Sequence, residues 1–281
     1  MAFAALGAGA ALAQEGQPYE WQTRFTPPAT NIMAQVIWFE NFTLWFIIPI
    51  TALVLVLLAW CIWRYRESAN PIPSRTSHNT LVEVIWTLGP VLVLIAIAIP
   101  SFQLLTLQYT PPREPELTVK VIGNQWNWDY EYQTEAPVSF NSAILNDDSG
   151  RAALGKGDLS AYPRLLAVDN ELVLPVNTVI RVLLTSNDVI HNWTVPAFGY
   201  RHDAVPGRIT ELWFEPFKEG LFYGQCSELC GKDHAYMPVG IRVVTQDQYN
   251  RWLAAAGTDL SGANRALMAE IEAAAQVAAA D

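Results

Sequence analysis

The chain is 281 residues long, 51% hydrophobic and only 16% charged, where ordinary globular chains carry about 25% charged residues. So high an apolar content excludes a disordered chain. The net charge of −10 argues against a nucleic-acid partner, and three cysteines are too few for a disulfide scaffold.

Residues 1–13 read MAFAALGAGAALA, with Ala11 and Ala13 just before Gln14. Small residues two apart resemble a signal-peptidase site, although the usual basic start is missing. The stretch is expected to be a signal-peptide remnant, the alternative being an Ala-rich tail, and residues 14–37 an exported segment. Phe42 to Trp63 is then a run of 22 residues without a charge, and Val84 to Leu107 another of 24. At about 1.5 Å per helical residue each reaches about 33–36 Å, beyond the roughly 30 Å of bilayer hydrocarbon. Two transmembrane helices are expected, over 38–63 and 84–107. Pro49, Pro90 and Pro100 inside them are compatible, because neighbours in a membrane bundle take up the freed carbonyls. The connection over 64–83 carries Arg64, Arg66 and Arg75 against Glu67 and Glu83. A short net-basic loop stays in the cytoplasm, which puts both chain ends on the periplasmic face. Trp38, Trp60, Trp63, Tyr65 and Trp86 lie where interfacial aromatic belts form.

From about residue 113 the period changes to two. Leu117, Val119 and Val121 alternate with Thr118, Lys120 and Ile122, and similar runs follow at 125–132, 171–175, 178–185, 189–195, 209–215, 221–225 and 239–244. Short β-branched and aromatic runs separated by Gly, Pro, Asn and Asp predict an antiparallel sandwich or barrel, here over 113–256. Residues 142–168 are polar and read as a surface insertion. QDQYNRWLAAAG after Thr245 reads as a short helix, and 257–281 as an Ala-rich tail. Residues 113–251 hold twelve Lys and Arg against eighteen Asp and Glu, a charge that suits a basic partner or simple solubility.

The stretch Cys226-Ser-Glu-Leu-Cys230-Gly-Lys-Asp-His234-Ala-Tyr-Met237 packs two thiols, an imidazole and a thioether together. Soft and borderline donors of this kind suit copper, whereas Ca²⁺ or Mg²⁺ calls for oxygen. His191, in an upstream predicted strand, can supply a second imidazole. Two thiolates with one histidine per metal can hold a dinuclear centre, with Met237 and the Glu228 carbonyl at weak positions. A disulfide, a structural zinc site and unrelated buried thiols compete with that reading. Cys61, inside the first apolar run, reads as a buried small hydrophobe.

Two N-terminal apolar helices followed by a β-domain containing CSELCGKDHAYM, together with VEVIWTLGP, GNQWNWDYEY, VIHNWTVPAFG and DAVPGR, resemble subunit II of cytochrome c oxidase over about residues 35–255. The resemblance implies a cupredoxin-like domain holding the dinuclear copper centre called CuA. By position it implies His191, Cys226, Glu228 (through its carbonyl), Cys230, His234 and Met237 as copper ligands. It implies the Glu228 carboxylate as a ligand of Mg²⁺ (or Mn²⁺) shared with subunit I. It further implies Trp126 as the aromatic that receives electrons, Glu131, Asp169 and Asp188 as docking carboxylates for cytochrome c, and Glu83 as the mouth of a proton pathway. The implied protein is the electron-input subunit of a proton-pumping oxidase in the bacterial plasma membrane. It would work with subunit I, other oxidase subunits, cytochrome c and membrane lipid, and would carry no dioxygen-reducing residue itself. Arg201-His202 departs from the family's usual Lys followed by a neutral polar residue. The alternatives are a quinol-oxidase-type subunit II, whose lineage lacks the copper ligands, and a membrane-tethered copper carrier.

Overall fold

A computed structural model describes residues 16–135 and 137–280; the signal-like stretch 1–13 lies outside the described residues. The chain forms two compact units. One holds the described residues up to Ala34 and from Gln108 onward, the other Gln35–Leu107.

The second unit consists of most of two long helices, α1 (Asn31–Arg64) and α2 (Thr80–Tyr109), both long and apolar enough to cross a membrane. They overrun the expected spans 38–63 and 84–107 because polar caps extend them. Thr30 Oγ1 accepts the Met33 N–H at 3.1 Å, starting α1 before the apolar run begins. Asn79 Oδ1 accepts the Val82 N–H at 3.2 Å, and the Glu83 carboxylate accepts the Asn79 N–H at 3.1 Å. Reciprocal bonds of this kind satisfy amide donors that the first helical turn leaves unpaired.

The first unit is a two-sheet β-domain, in agreement with the expected cupredoxin-like architecture. Its strands are β1 (Leu117–Asn124), β2 (Asn127–Tyr132), β3 (Val138–Ser142), β4 (Leu172–Pro175), β5 (Ile180–Ser186), β6 (His191–Val195), β7 (Tyr200–Ala204), β8 (Thr210–Phe214), β9 (Gly220–Cys226) and β10 (Pro238–Val244). One sheet runs β3-β2-β1-β5-β8 and the other β4-β10-β9-β6-β7. Most pairings are antiparallel, as expected of such a sandwich; two depart from that, β1 with β5 and β4 with β10, which run in parallel. Alternation buries one face of β1, β2 and β5. Between the sheets Trp193 stacks on Phe214 at 6.3 Å, and the Tyr132 hydroxyl donates to the Val173 carbonyl at 2.7 Å.

Strand β10 is buried at every position, so its outer face is covered too. The cover comes from the 142–168 insertion, including α3 (Asp148–Ala153), and from α5 (Leu260–Ala280), while α4 (Gln246–Ala256) packs Trp252 against Tyr132 and Phe140. Leu145, Tyr162, Ala167, Leu221 and Tyr223 form a second small core there, with Met268 of α5 packed against it. The insertion is therefore not the surface loop its composition suggests. It carries Lys156 into the interior, where Nζ donates to the carbonyls of Val168 and Asp169 at 2.9 and 2.8 Å and pairs with Glu171 at 2.9 Å. Arg242 pairs with the other Glu171 oxygen at 2.6 Å and donates to the Tyr162 hydroxyl at 3.0 Å. Burial alone pushes the Glu171 carboxyl up, but Arg242 and Lys156 outweigh it and hold it down at about 2. Helix α4 starts from a capping box between Thr245 and Gln248.

Residues 16–30 run across the β-domain before α1 begins. The Gly16 carbonyl accepts the Tyr223 N–H at 3.1 Å, Ala29 donates to Ala197 at 2.8 Å and accepts from Phe217 at 2.9 Å. The Thr30 hydroxyl donates to the Phe198 carbonyl at 2.8 Å. This strap puts both flanks of the helical pair into one folded unit.

Candidate metal centre

The site is built where two neighbouring strands end. Trp193 of β6 lies opposite Cys226 of β9, so His191, at the start of β6, and Cys226, at the end of β9, meet at one edge of the sheet. The Ser227 N–H donating to the Asn192 carbonyl at 3.1 Å extends this pairing one step into the loop. The loop then returns through the short helical turn His234–Tyr236 to β10 at Pro238.

All the sequence-nominated donors of the loop converge with His191. Cys226 Sγ lies 3.9 Å from His191 Nδ1, 3.3 Å from the Glu228 carbonyl oxygen and 3.9 Å from Cys230 Sγ. Cys230 Sγ lies 3.5 Å from His234 Nδ1 and 3.5 Å from Met237 Sδ. The arrangement is two-fold in kind, with two central sulfurs and one imidazole against each. Both cysteines are free and buried, and a disulfide would need about 2.05 Å between sulfurs. The donor atoms of His191, Cys226 and Cys230 all fall within 4.8 Å of one another, a spacing that can hold a metal ion.

The charges of the two thiols provide a test of fit. Burial pushes the Cys226 thiol up, but His191, the backbone at Asn192 and Glu228, and His234 outweigh it and bring it down to about 7. Burial and then the neighbouring Cys226 push Cys230 up to about 12. Two adjacent buried thiols oppose each other's ionisation, so a cation between them favours the doubly ionised pair. Sulfur, imidazole and thioether donors make that cation soft or borderline, as copper is.

Residues far away in sequence hold the donors in place. Gly123 of β1 has no side chain, and a Cβ there would sit 2.8 Å from His191 Cδ2. Trp128 packs edge-on to His191 at 5.9 Å and donates to the Met237 carbonyl at 3.2 Å. The Gln125 side chain and the Trp126 indole both donate to the Cys230 carbonyl, at 2.7 and 3.3 Å. Gly231 adopts φ +125, and a Cβ there would come within 3.0 Å of the Trp126 ring. Lys232 Nζ lies 5.5 Å from the centre of that ring. The sequence nominates Trp126 but not Gly123, Gln125 or Trp128, although all four lie in the stretch GNQWNWDYEY.

The other nominated residues have different surroundings. Glu131 is paired with Lys120 at 3.1 Å. Asp169 Oδ1 accepts the Ala143 and Asn170 N–H groups at 2.8 and 2.7 Å. Asp188 Oδ1 lies 2.8 Å from His191 Nε2. Each proposed docking carboxylate therefore has a partner within the chain. Glu83 lies in the first turn of α2, outside this unit. The Glu228 side chain is exposed while its carbonyl faces Cys226.

Comparison with known proteins adds the following. The family described as cytochrome c oxidase subunit II, periplasmic domain, matches residues 117–244, and its transmembrane-domain counterpart matches residues 18–104. The chain is 41% identical over 254 residues to a probable cytochrome c oxidase subunit 2 of Rickettsia felis, covering 90% of this chain and 78% of that one. It is 42% identical over 269 residues to cytochrome c oxidase subunit 2 of Cereibacter sphaeroides, covering 88% and 86%. Among solved structures, the periplasmic domain of subunit II of cytochrome oxidase (CoxB) of Bradyrhizobium japonicum is 47% identical, with 51% of this chain and 95% of that chain covered and a TM-score of 0.45.

Proposed function

This chain belongs to the cytochrome c oxidase subunit II family, and on that footing we propose that it is the electron-input subunit of a haem–copper oxidase. It accepts electrons from cytochrome c at a dinuclear copper centre and passes them to haem in subunit I, where dioxygen is reduced to water with proton pumping. The observation that carries this reading is the convergence of two free, buried sulfurs with an imidazole against each. When bound, two copper ions supply a one-electron couple whose charge is spread over both metals and both sulfurs.

The chain's own residues do the rest. Cys226 and Cys230 would hold the copper through their sulfurs, with the His191 and His234 imidazoles beside them and Met237 and the Glu228 carbonyl as weaker donors. Strands β6, β9 and β10 fix these groups, so little has to move when the charge changes, and a small rearrangement means a low barrier to electron transfer. Trp126 is half-buried beside Cys230 and bonded to its carbonyl, a through-bond route from the surface to a residue that would hold copper. The exposed Glu228 carboxylate is the chain's contribution to a Mg²⁺ or Mn²⁺ site shared with subunit I. Glu83 marks the mouth of a proton pathway. The basic 64–83 connection lies in the cytoplasm, and the β-domain and both ends lie in the periplasm.

Metal analysis with EPR on the purified full chain tests the proposal. Two coppers per chain and one unpaired electron shared between two copper nuclei are expected; one zinc with no copper would sink it. Trp126→Gln is expected to slow reduction by cytochrome c at least tenfold, the cost of about 1.4 kcal/mol on the barrier, while the copper spectrum stays unchanged. Unchanged kinetics would remove Trp126 from the route.

A further inference from the structure

Lys232 puts a positive charge where the acidic balance of the β-domain gives no reason for one. Its Nζ lies 5.5 Å from the centre of the Trp126 ring, inside the roughly 6 Å reach of a cation–π contact. The main chain brings it there. Gly231 has φ +125, and a Cβ at that position would sit 3.0 Å from the ring. A glycine lets the loop run flush against the indole and carry the next side chain over it. The ammonium also lies 3.4 Å from the Asp233 carboxylate, while 78% of the Lys232 side chain is exposed. Its charge is therefore presented to an incoming molecule. The ring beneath it donates its indole N–H to the Cys230 carbonyl at 3.3 Å.

A domain with more acids than bases attracts basic molecules as a whole. A cation on the ring acts in the opposite sense at short range, and like charges brought together at a contact point select against the wrong partner. We propose that Lys232 is a specificity-determining residue of the electron-entry site: its ammonium over Trp126 selects against donors that bring a positive charge onto this ring. The inference rests on the entry role given to Trp126 above.

Two measurements on the full chain in mild detergent test it. The first needs no metal. Iodide and caesium ions quench exposed indoles, and the difference between the parent and Trp126→Phe isolates the Trp126 emission. Iodide should quench it more than caesium in the parent and in Lys232→Arg, and the order should reverse in Lys232→Glu. The second follows reduction of the copper-loaded chain by hexaammineruthenium(II), ascorbate monoanion and an uncharged hydroquinone. In Lys232→Glu the rate with the ruthenium cation should rise about two- to tenfold and that with ascorbate should fall by a similar factor, both effects fading as salt is added. The hydroquinone rate should stay at the parent's value. Arg265→Glu, the same charge change at an exposed residue of α5, should leave the quenching order as in the parent and move the rates less. An unreversed quenching order overturns the inference. So does an equal effect in Arg265→Glu, which reads net charge alone, or an equal change with all three reductants, which reads an altered copper centre. A copper-loaded parent whose reduction Trp126→Gln leaves unchanged would instead sink the entry role, and a parent that takes up no copper the function proposed above.

Discussion

Glu171→Gln is expected to lower the unfolding free energy of the β-domain by about 3–5 kcal/mol at neutral pH, the usual cost of removing one partner from a buried ion pair. Glu171 stands between Lys156 and Arg242, and all three side chains are less than 10% exposed. The amide neutralises neither cation, so two buried positive charges lose their counter-charge. The same group sets an acid limit. Its folded value of about 2 lies below the ordinary 4.5, so its contribution is complete above about pH 4.5. It declines as the pH falls and is gone below about pH 2, an amount on the order of 3 kcal/mol. Urea unfolding of the full chain in mild detergent, followed by near-ultraviolet circular dichroism at several pH values, measures both effects. The variant should unfold at lower urea at pH 7 and lose the parent's stability slope between pH 4.5 and 2. A midpoint and slope equal to the parent's would show that the cluster contributes nothing net.

Cys230→Ser is expected to have the largest effect on the metal. The hydroxyl is a hard donor and does not bridge soft metals as a thiolate does. Cys230 also sits at the crossing of the site, next to Cys226, His234 and Met237. Copper affinity should fall by more than about 100-fold, beyond the loss typical of an outer partner. The shared-electron EPR pattern should vanish. The fold should survive, because the main-chain grip of Gln125 on residue 230 does not use the sulfur. Two retained coppers with an undiminished shared-electron signal would refute the bridging role.

The loop from Cys226 to Met237 was legible because its donors are local. Twelve residues bring five of the six donors together without any tertiary knowledge. The parts that hold them were not legible, because they come from across the sandwich: Gly123 beneath His191, Trp128 bonded to Met237 across 109 positions, and Gln125 bonded to Cys230 across 105. A period of two located eight of the ten strands. The missed pair, β3 with VSFNS and β7 with YRHDA, each lie at a sheet edge and bury only their first and last residues. An edge strand with one neighbour tolerates polar residues that blur the alternation. The 142–168 insertion misled for a different reason. Its Lys and Arg look like surface charges until Glu171 and main-chain carbonyls are brought to them, and composition does not show pairing.

Residues 16–30 are synthesised long before their partners in the β-domain: Thr30 meets Phe198 across 168 positions. At roughly 5–20 residues per second, that interval lasts on the order of 8–34 s. During it the hairpin can insert, but the strap has no seat. Its seat exists only once Phe198 and Phe217 of the β-domain have been made. The Cys226–Met237 segment is made after Phe198 and Phe217, so the strap's partners at those two residues precede it in the order of synthesis.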